Sequence, residues 1–440
     1  MSRDANLAGL IMLAVLAALS FAIFGASLPF ETSPGMVIGQ TLNQAAASQE
    51  TAIMAKFKEA TSAISAIADG SRDVIGQQSV DPKTKEIVQT HLDQYLKEIE
   101  KQIRVKSSPL VLLHSEKLGI SYEYPPDGSE SAFQIASIGK VFTATLICML
   151  ADRGKIRLDD PIVYYLPETS YKGLFVFEGK DYAKQVTVRQ LLAHTSGVAD
   201  YAEDPVINGP PFFDLLLEDP DTFWTPEMLL SFSRDNQHAV SKPGELFHYS
   251  DTGYILLGRI IENVTAKSFH ENLHDELFRP LGMNDSYLMF RSEPANQPKK
   301  SIEKIWLGDR EISKFTSLSS DWAAGGIVST PADLLKFHRA MREGKLISPA
   351  LLGQMETYDR QFLPGINYGM GMMQISFPDL DPMLSSLPPV TGHLGIWATH
   401  MLYDRTTDSH IILNLGSTSC MNRSFEVLIE LMKTIANTQI

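Results

Sequence analysis

At 440 residues the chain has room for two or three units of roughly 150 residues, and its 44% hydrophobic and 20% charged content excludes wholesale disorder and fibrous repeats. Lys and Arg total 38 against 52 Asp and Glu, a formal net charge of −14 with no local basic cluster, so nucleic acid is excluded from the expected partners. Two cysteines, Cys148 and Cys420, are too few for a disulfide framework or a cysteine zinc site. Cys148 lies in an apolar helical run, where a buried, inert thiol is expected.

Residues 5–30 carry no charge, and Leu7 to Phe24 is almost continuously apolar. A bilayer-spanning helix needs about 20 such residues, whereas the apolar core of a cleavable signal has about 7–15. The run therefore reads as a membrane anchor in preference to a cleaved signal, although Gly25, Ala26 and Ser27 would suit a cleavage site. Arg3 is the only cation before it, partly offset by Asp4. The expected arrangement is a short cytoplasmic tail with everything after Phe30 on the outer, periplasmic or extracellular side, or a secreted protein if the segment is cleaved.

Residues 31–104 shift to Ala, Gln, Ser, Thr and Lys and read as a helical stalk or linker. Ile53, Phe57, Ala60, Ile64 and Ile67 make one narrow apolar stripe, and Ile87, Leu92, Leu96, Ile99 and Ile103 make a second. The first stripe, within 40–70, suits either a self-association seam giving a homo-oligomer or a helix lying on the main domain.

The chemistry begins after two short strands, 110–113 and 120–124. From Ser137 onward Ile138, Val141, Phe142, Leu146, Met149 and Leu150 mark a helix that stops at Arg153-Gly154. Ser137 and Lys140, three residues apart at its start, share one face. A hydroxyl is a weak nucleophile until a nearby base takes its proton, and a partly desolvated amine serves that purpose. Alone, a Ser-x-x-Lys pattern is expected about once or twice by chance in such a chain. Its order ahead of Tyr249-Ser250-Asp251 and Gly392-His393-Leu394-Gly395 is what singles it out.

In that order the three segments resemble those of the serine β-lactamase and penicillin-binding-protein superfamily, and most closely its class C β-lactamase, D-alanyl-D-alanine carboxypeptidase and esterase branch. Leu191–Gly197 (Leu-Leu-Ala-His-Thr-Ser-Gly), Pro280–Met283 and Ala324–Thr330 are similar to further segments of that branch, and the likeness runs from about Pro109 to the C-terminus. The resemblance implies that Ser137 attacks a carbonyl to form an acyl-enzyme, that Lys140 helps activate it, and that Tyr249 is the general base. It implies an oxyanion hole from the N–H groups of Ser137 and Ile396, with Gly395 on the edge strand that meets the substrate and His393 in place of the third segment's lysine. No metal or organic cofactor is called for.

Two positions depart from the commonest pattern. Asp251 stands where asparagine is usual, and a carboxylate near Lys140 favours the ammonium form, making Lys140 a poorer base and Tyr249 a better anion. Asp251 has two other readings, held protonated by burial or turned away. His393 is mostly neutral at pH 7, so its hold on a substrate carboxylate is weaker than a lysine's. Neutral esters, amides or amine-bearing peptides are therefore expected ahead of β-lactams. The alternatives are a D-alanyl-D-alanine carboxypeptidase or β-lactamase proper, or a non-hydrolytic sensor of cell-wall peptides.

Other signals are set aside. His270-Glu271-Asn272-Leu273-His274 fits a zinc-peptidase pattern but belongs to an amphipathic helix with no third ligand nearby. His194 and Ser196 are read as hydrogen-bonded support near the site, and Met370, Met372 and Met373 as core packing. The expected fold is α/β (α+β) and β-lactamase/transpeptidase-like. It has an antiparallel sheet flanked by helices, built from about 105–165 and 330–440, with a mostly helical insertion at 166–329 and an N-terminal membrane helix ahead of it.

Overall fold

The computed structural model describes residues 80–103, 107–126 and 131–438; the predicted anchor at 5–30 and the first stripe within 40–70 lie outside the described residues. Among the described residues, no helix is long and apolar enough to cross a membrane.

The first described helix, α1 (Pro82–Gln102), starts at Asp81, whose carboxylate accepts from the N–H groups of Lys83 and Thr84. It buries Val88, Leu92, Leu96 and Ile99. At about 1.5–3 kcal/mol for each fully buried aliphatic side chain, this face ties the helix to the folded unit. The boundary drawn at residue 104 therefore moves back: the second stripe is part of the catalytic fold and lies on its sheet, while the spacing read from Ile87 begins one residue later, at Val88.

Two strands follow, β1 (Leu110–Ser115) and β2 (Ile120–Tyr124), then α2 (Gly139–Asp152), whose stop at Arg153 and Gly154 is as the sequence predicts. The region up to 330 is mostly short helices, the longest being α3 (Asp251–Thr265). Thr330 caps α4 (Pro331–Arg342) by accepting from the Asp333 N–H. The remaining strands of the main sheet are β3 (Arg360–Leu363), β4 (Ile366–Tyr368), β5 (Met373–Ile375), β6 (Val390–Gly395), β7 (Thr399–Asp404) and β8 (Ser409–Asn414), followed by α5 (Met421–Asn437).

All eight strands form one antiparallel sheet in the order β3-β4-β5-β6-β7-β8-β1-β2. The N-terminal hairpin thus pairs with the last strand, Leu110 opposite Asn414, and the chain closes around its helical insertion. Because side chains alternate across a strand, the sheet separates two cores. Leu110 and Leu112 face α2 and α4, where Phe142 and Phe337 stack at 3.7 Å; Val111 and Leu113 face α1 and α5. A smaller sheet joins Phe133–Gln134, Ile327–Ser329 and Tyr287–Leu288 and leads the chain into Ser137.

Candidate active site

Ser137 sits in a single 3-10 turn, Ala136–Ile138, that runs directly into α2. Ala136 holds a left-handed φ of +49°, a conformation that costs an alanine about 1 kcal/mol or more. Gln134 supports this turn: its side-chain oxygen accepts from the Ala136 N–H at 3.0 Å and from Trp397 Nε1, while its amide donates to Asp321 and to the Gly325 carbonyl. Two glycines bring the neighbouring segments close. A Cβ on Gly325 would lie 2.9 Å from the Ala136 carbonyl carbon, and one on Gly395 would lie 2.2 Å from Thr399 Oγ1 and 2.8 Å from the Ala136 Cβ. The glycine at 395 is thus required by packing of β6 against the turn that carries Ser137.

Lys140 is completely buried. Its Nζ is 3.0 Å from Ser137 Oγ, 3.0 Å from the Ala324 carbonyl and 2.6 Å from Asp251 Oδ1. Nζ donates to the Ala324 carbonyl and to Ser137 Oγ, and Asp251 supplies the counter-charge beside it. That is the ammonium form. Burial opposes it, but Asp251 and then Tyr249 outweigh burial and hold the lysine above its ordinary range. Of the readings open for Asp251, the structure shows the ion pair.

Tyr249 lines the same pocket as Ser137, and Lys140 Nζ lies 4.9 Å from the centre of its ring, so its phenol stands beside both groups. Burial raises its pKa, Lys140 lowers it, Asp251 raises it again, and the balance lies above the ordinary phenol. Asp251 opens α3, and its backbone N–H donates to Asp200 at 2.8 Å. Ser137, Tyr249, Asp251 and Ile396 line one pocket, shared with Asp200, Glu203, Asp321 and the aromatic Tyr201, Phe212 and Trp397. Burial and then the charge of Asp251 push the carboxyls of Asp200 and Glu203 upward, and the same causes bring Asp321 to about 7.

His393 is placed differently from the other site residues. It is fully buried and lies outside that lining. Its Nε2 is 3.1 Å from the Tyr368 hydroxyl and its Nδ1 is 2.6 Å from the Leu394 carbonyl. Burial and then Lys140 lower its pKa to about 3, so it is neutral. His194 takes the support role read from the sequence: its ring stacks 4.3 Å from that of Tyr249, and its Nδ1 accepts from the Ser250 N–H. In the segment resembling a zinc pattern, Glu271 closes a capping box with Ser268, and His274 bonds Ser292. Met370 and Met372 are core residues, and Cys148 is a buried free thiol.

Sequence reasoning missed Gln134, Asp200, Glu203, Asp321 and Tyr368. Gln134 lies just ahead of Ser137 without forming a motif, and the others come from segments with no motif of their own that only the fold brings to the site.

The Beta-lactamase family profile matches residues 121–425. Penicillin-binding protein 4 of Amycolatopsis lactamdurans is 34% identical over 220 residues, 48% of this chain and 51% of that protein. The chain spans about half the length of the curated relatives it matches. The crystal structure of a D-stereospecific amidohydrolase from Streptomyces sp. is 25% identical with a TM-score of 0.62, covering 78% of this chain and 98% of that one. That of the D-amino acid amidase from Ochrobactrum anthropi SV3 complexed with D-phenylalanine is 25% identical with a TM-score of 0.63, covering 79% and 99%.

Proposed function

The chain belongs to the Beta-lactamase family, and from that premise we propose that it is a serine hydrolase acting through an acyl-enzyme on small amine-bearing amides, D-amino-acid amides and short peptides foremost. The hydrolase reading is carried by the contact of Ser137 with Lys140 and Tyr249. Tyr249 rests mostly as the phenol because its pKa is raised and acts through its minor phenolate form: Ser137 Oγ attacks the carbonyl carbon while its proton passes to the phenolate oxygen. The Lys140 ammonium balances the phenolate, and the N–H groups of Ser137 and Ile396 receive the oxyanion. As the tetrahedral species collapses, the C–N bond breaks and the Tyr249 phenol returns the proton to the leaving amine. Water repeats the sequence on the acyl ester and frees Ser137.

The substrate class rests on the lining. Asp200, Glu203, Asp251 and Asp321 face the pocket, and the Lys140 cation beside them is already committed to Asp251. Above about pH 7, where Glu203 and Asp321 ionise, such a lining attracts an ammonium and repels the carboxylate that β-lactams carry. The D-specific amidohydrolases sharing this fold agree with that reading. The apolar run at 5–30 supports attachment to a membrane with the catalytic unit on its outer side, to be checked by carbonate extraction and protease protection.

The test is initial-rate turnover of the full chain on D-phenylalanine amide, a nitrophenyl butyrate ester and a chromogenic cephalosporin. The amide should lead, with its kcat/KM greatest between about pH 7, where Asp321 ionises, and about pH 8, where an α-amine loses its proton. A cephalosporin turned over best would overturn the substrate class.

A further inference from the structure

Beneath Tyr249 runs a second polar system in which every proton has a fixed place. At one end the Ser250 backbone N–H donates to His194 Nδ1 at 3.0 Å, so the His194 proton resides on Nε2 and points to the Tyr368 oxygen at 3.1 Å. At the other end the Leu394 carbonyl can only accept, so the His393 proton resides on Nδ1. His393 Nε2 is then a bare lone pair, and the Tyr368 hydroxyl donates to it. The chain Ser250–His194–Tyr368–His393–Leu394 has one direction, imposed by a backbone donor and a backbone acceptor. His194, Tyr368 and His393 are each at most 2% exposed. The chain joins the segment bearing Tyr249 to the strand that delivers Gly395 and Ile396.

This arrangement has a consequence for the substrate. His393 has no N–H left to offer, and its ring stands outside the pocket lining. We propose that Tyr368 is a specificity-determining, positioning residue: by donating to His393 Nε2 it withholds the ring from the pocket, leaving the site without a donor for a substrate carboxylate and so selecting uncharged termini. The inference rests on the reading of Ser137 as the residue that meets the substrate carbonyl.

The test compares N-acetyl-D-alanyl-D-alanine with its C-terminal amide. Their Kd values are measured by calorimetry on the full chain carrying Ser137→Ala, with and without Tyr368→Phe. Phenylalanine keeps the ring packed on His194 and removes the hydroxyl, which is both the donor to His393 and the acceptor from His194. The ratio of Kd for the acid to Kd for the amide should favour the amide in the parent and move toward the acid by about tenfold in Tyr368→Phe, the worth of one charge-assisted hydrogen bond. A ratio unchanged within twofold overturns the proposal. Independently of that variant's folding, long-range 15N correlation of the histidine rings in the wild-type chain should show His194 protonated on Nε2 and His393 on Nδ1; His393 protonated on Nε2 also overturns it. Because binding and tautomers are read without turnover, a failure of the hydrolase reading would register separately, as absent hydrolysis with the Kd ratio and tautomers intact.

Discussion

Two polar systems flank Tyr249, and they solve the same burial problem in opposite ways. On one side Lys140 is fully buried as a cation, held by Asp251, the Ala324 carbonyl and Ser137. On the other, His194, Tyr368 and His393 are buried neutral, their protons assigned by a backbone donor and a backbone acceptor. A buried charge is tolerable only with its counter-charge in place, and removing one partner leaves the other stranded. A buried neutral chain needs no counter-charge, only matched donors and acceptors. The charged side can therefore tune the reaction by small changes in its carboxylate, whereas the neutral side fixes geometry.

The comparison breaks most sharply at Lys140. Lys140→Met should lower kcat/KM by about a thousandfold or more and destabilise by about 3 kcal/mol, because Asp251 is left buried without its partner. Adding Asp251→Leu should recover most of that stability and none of the activity, as urea titrations and rates on the same samples will show. Stability that stays low in the double variant would mean the lysine matters for packing instead of charge.

Gly395→Ala tests the strand that both systems hold in place. With its Cβ 2.2 Å from Thr399 Oγ1 and 2.8 Å from the Ala136 Cβ, β6 must shift from Ser137, and kcat should fall by about a hundredfold, as misplacements near 1 Å do. An unchanged kcat would show that the oxyanion donors lie elsewhere.

Asp251→Asn has a smaller effect whose sign distinguishes the charged side from the neutral one. Asp251 raises the pKa of both Lys140 and Tyr249, so the amide should lower both and move the whole kcat/KM-against-pH curve to lower pH, with the maximum changed less than about tenfold. A curve that does not move would separate Asp251 from the titrating groups.

The burial of neutral histidines, His393 of that chain together with His400 and His410 elsewhere in the fold, is best tested by acid. Burial lowers His393 and His400 to about 3 and His410 to about 4, against about 6.5 for a free histidine. Below pH 6.5 the unfolded chain takes up protons that the folded chain refuses. These histidines thus contribute stability that is intact above 6.5 and is lost as pH falls toward 3, at about 1.4 kcal/mol per pH unit for each group. Urea midpoints measured from pH 7 to pH 5 should fall steadily; a flat profile would mean that the rings ionise in place.

The difference between the two sides also governs what the sequence could reveal. The helix stop at Arg153-Gly154 is local and was legible from spacing alone, whereas Ser137 and Lys140, three residues apart, were singled out only by their order ahead of the two later segments. An antiparallel sheet built from two distant parts of the chain, and the oxyanion role expected of Ile396, came through resemblance to a family, whereas the pairing of β1 with β8 was not foreseen. Tyr368, Gln134, Asp321 and Glu203 were invisible because each acts across more than a hundred residues of chain or from a loop without pattern, and only closure of the sheet around the insertion assembles them. The helix at 82–102 was legible as a stripe, but the sequence did not show that its partner was the sheet.

The central claim is that Ser137 becomes acylated and turns over. Incubating the full chain with D-phenylalanine amide, quenching in acid within the first turnovers and mapping peptides by mass will test it directly. The account predicts a phenylalanyl adduct on Ser137 that disappears as substrate is exhausted, and no adduct or hydrolysis in Ser137→Ala. Hydrolysis that persists in Ser137→Ala, or an adduct on another residue, would contradict it.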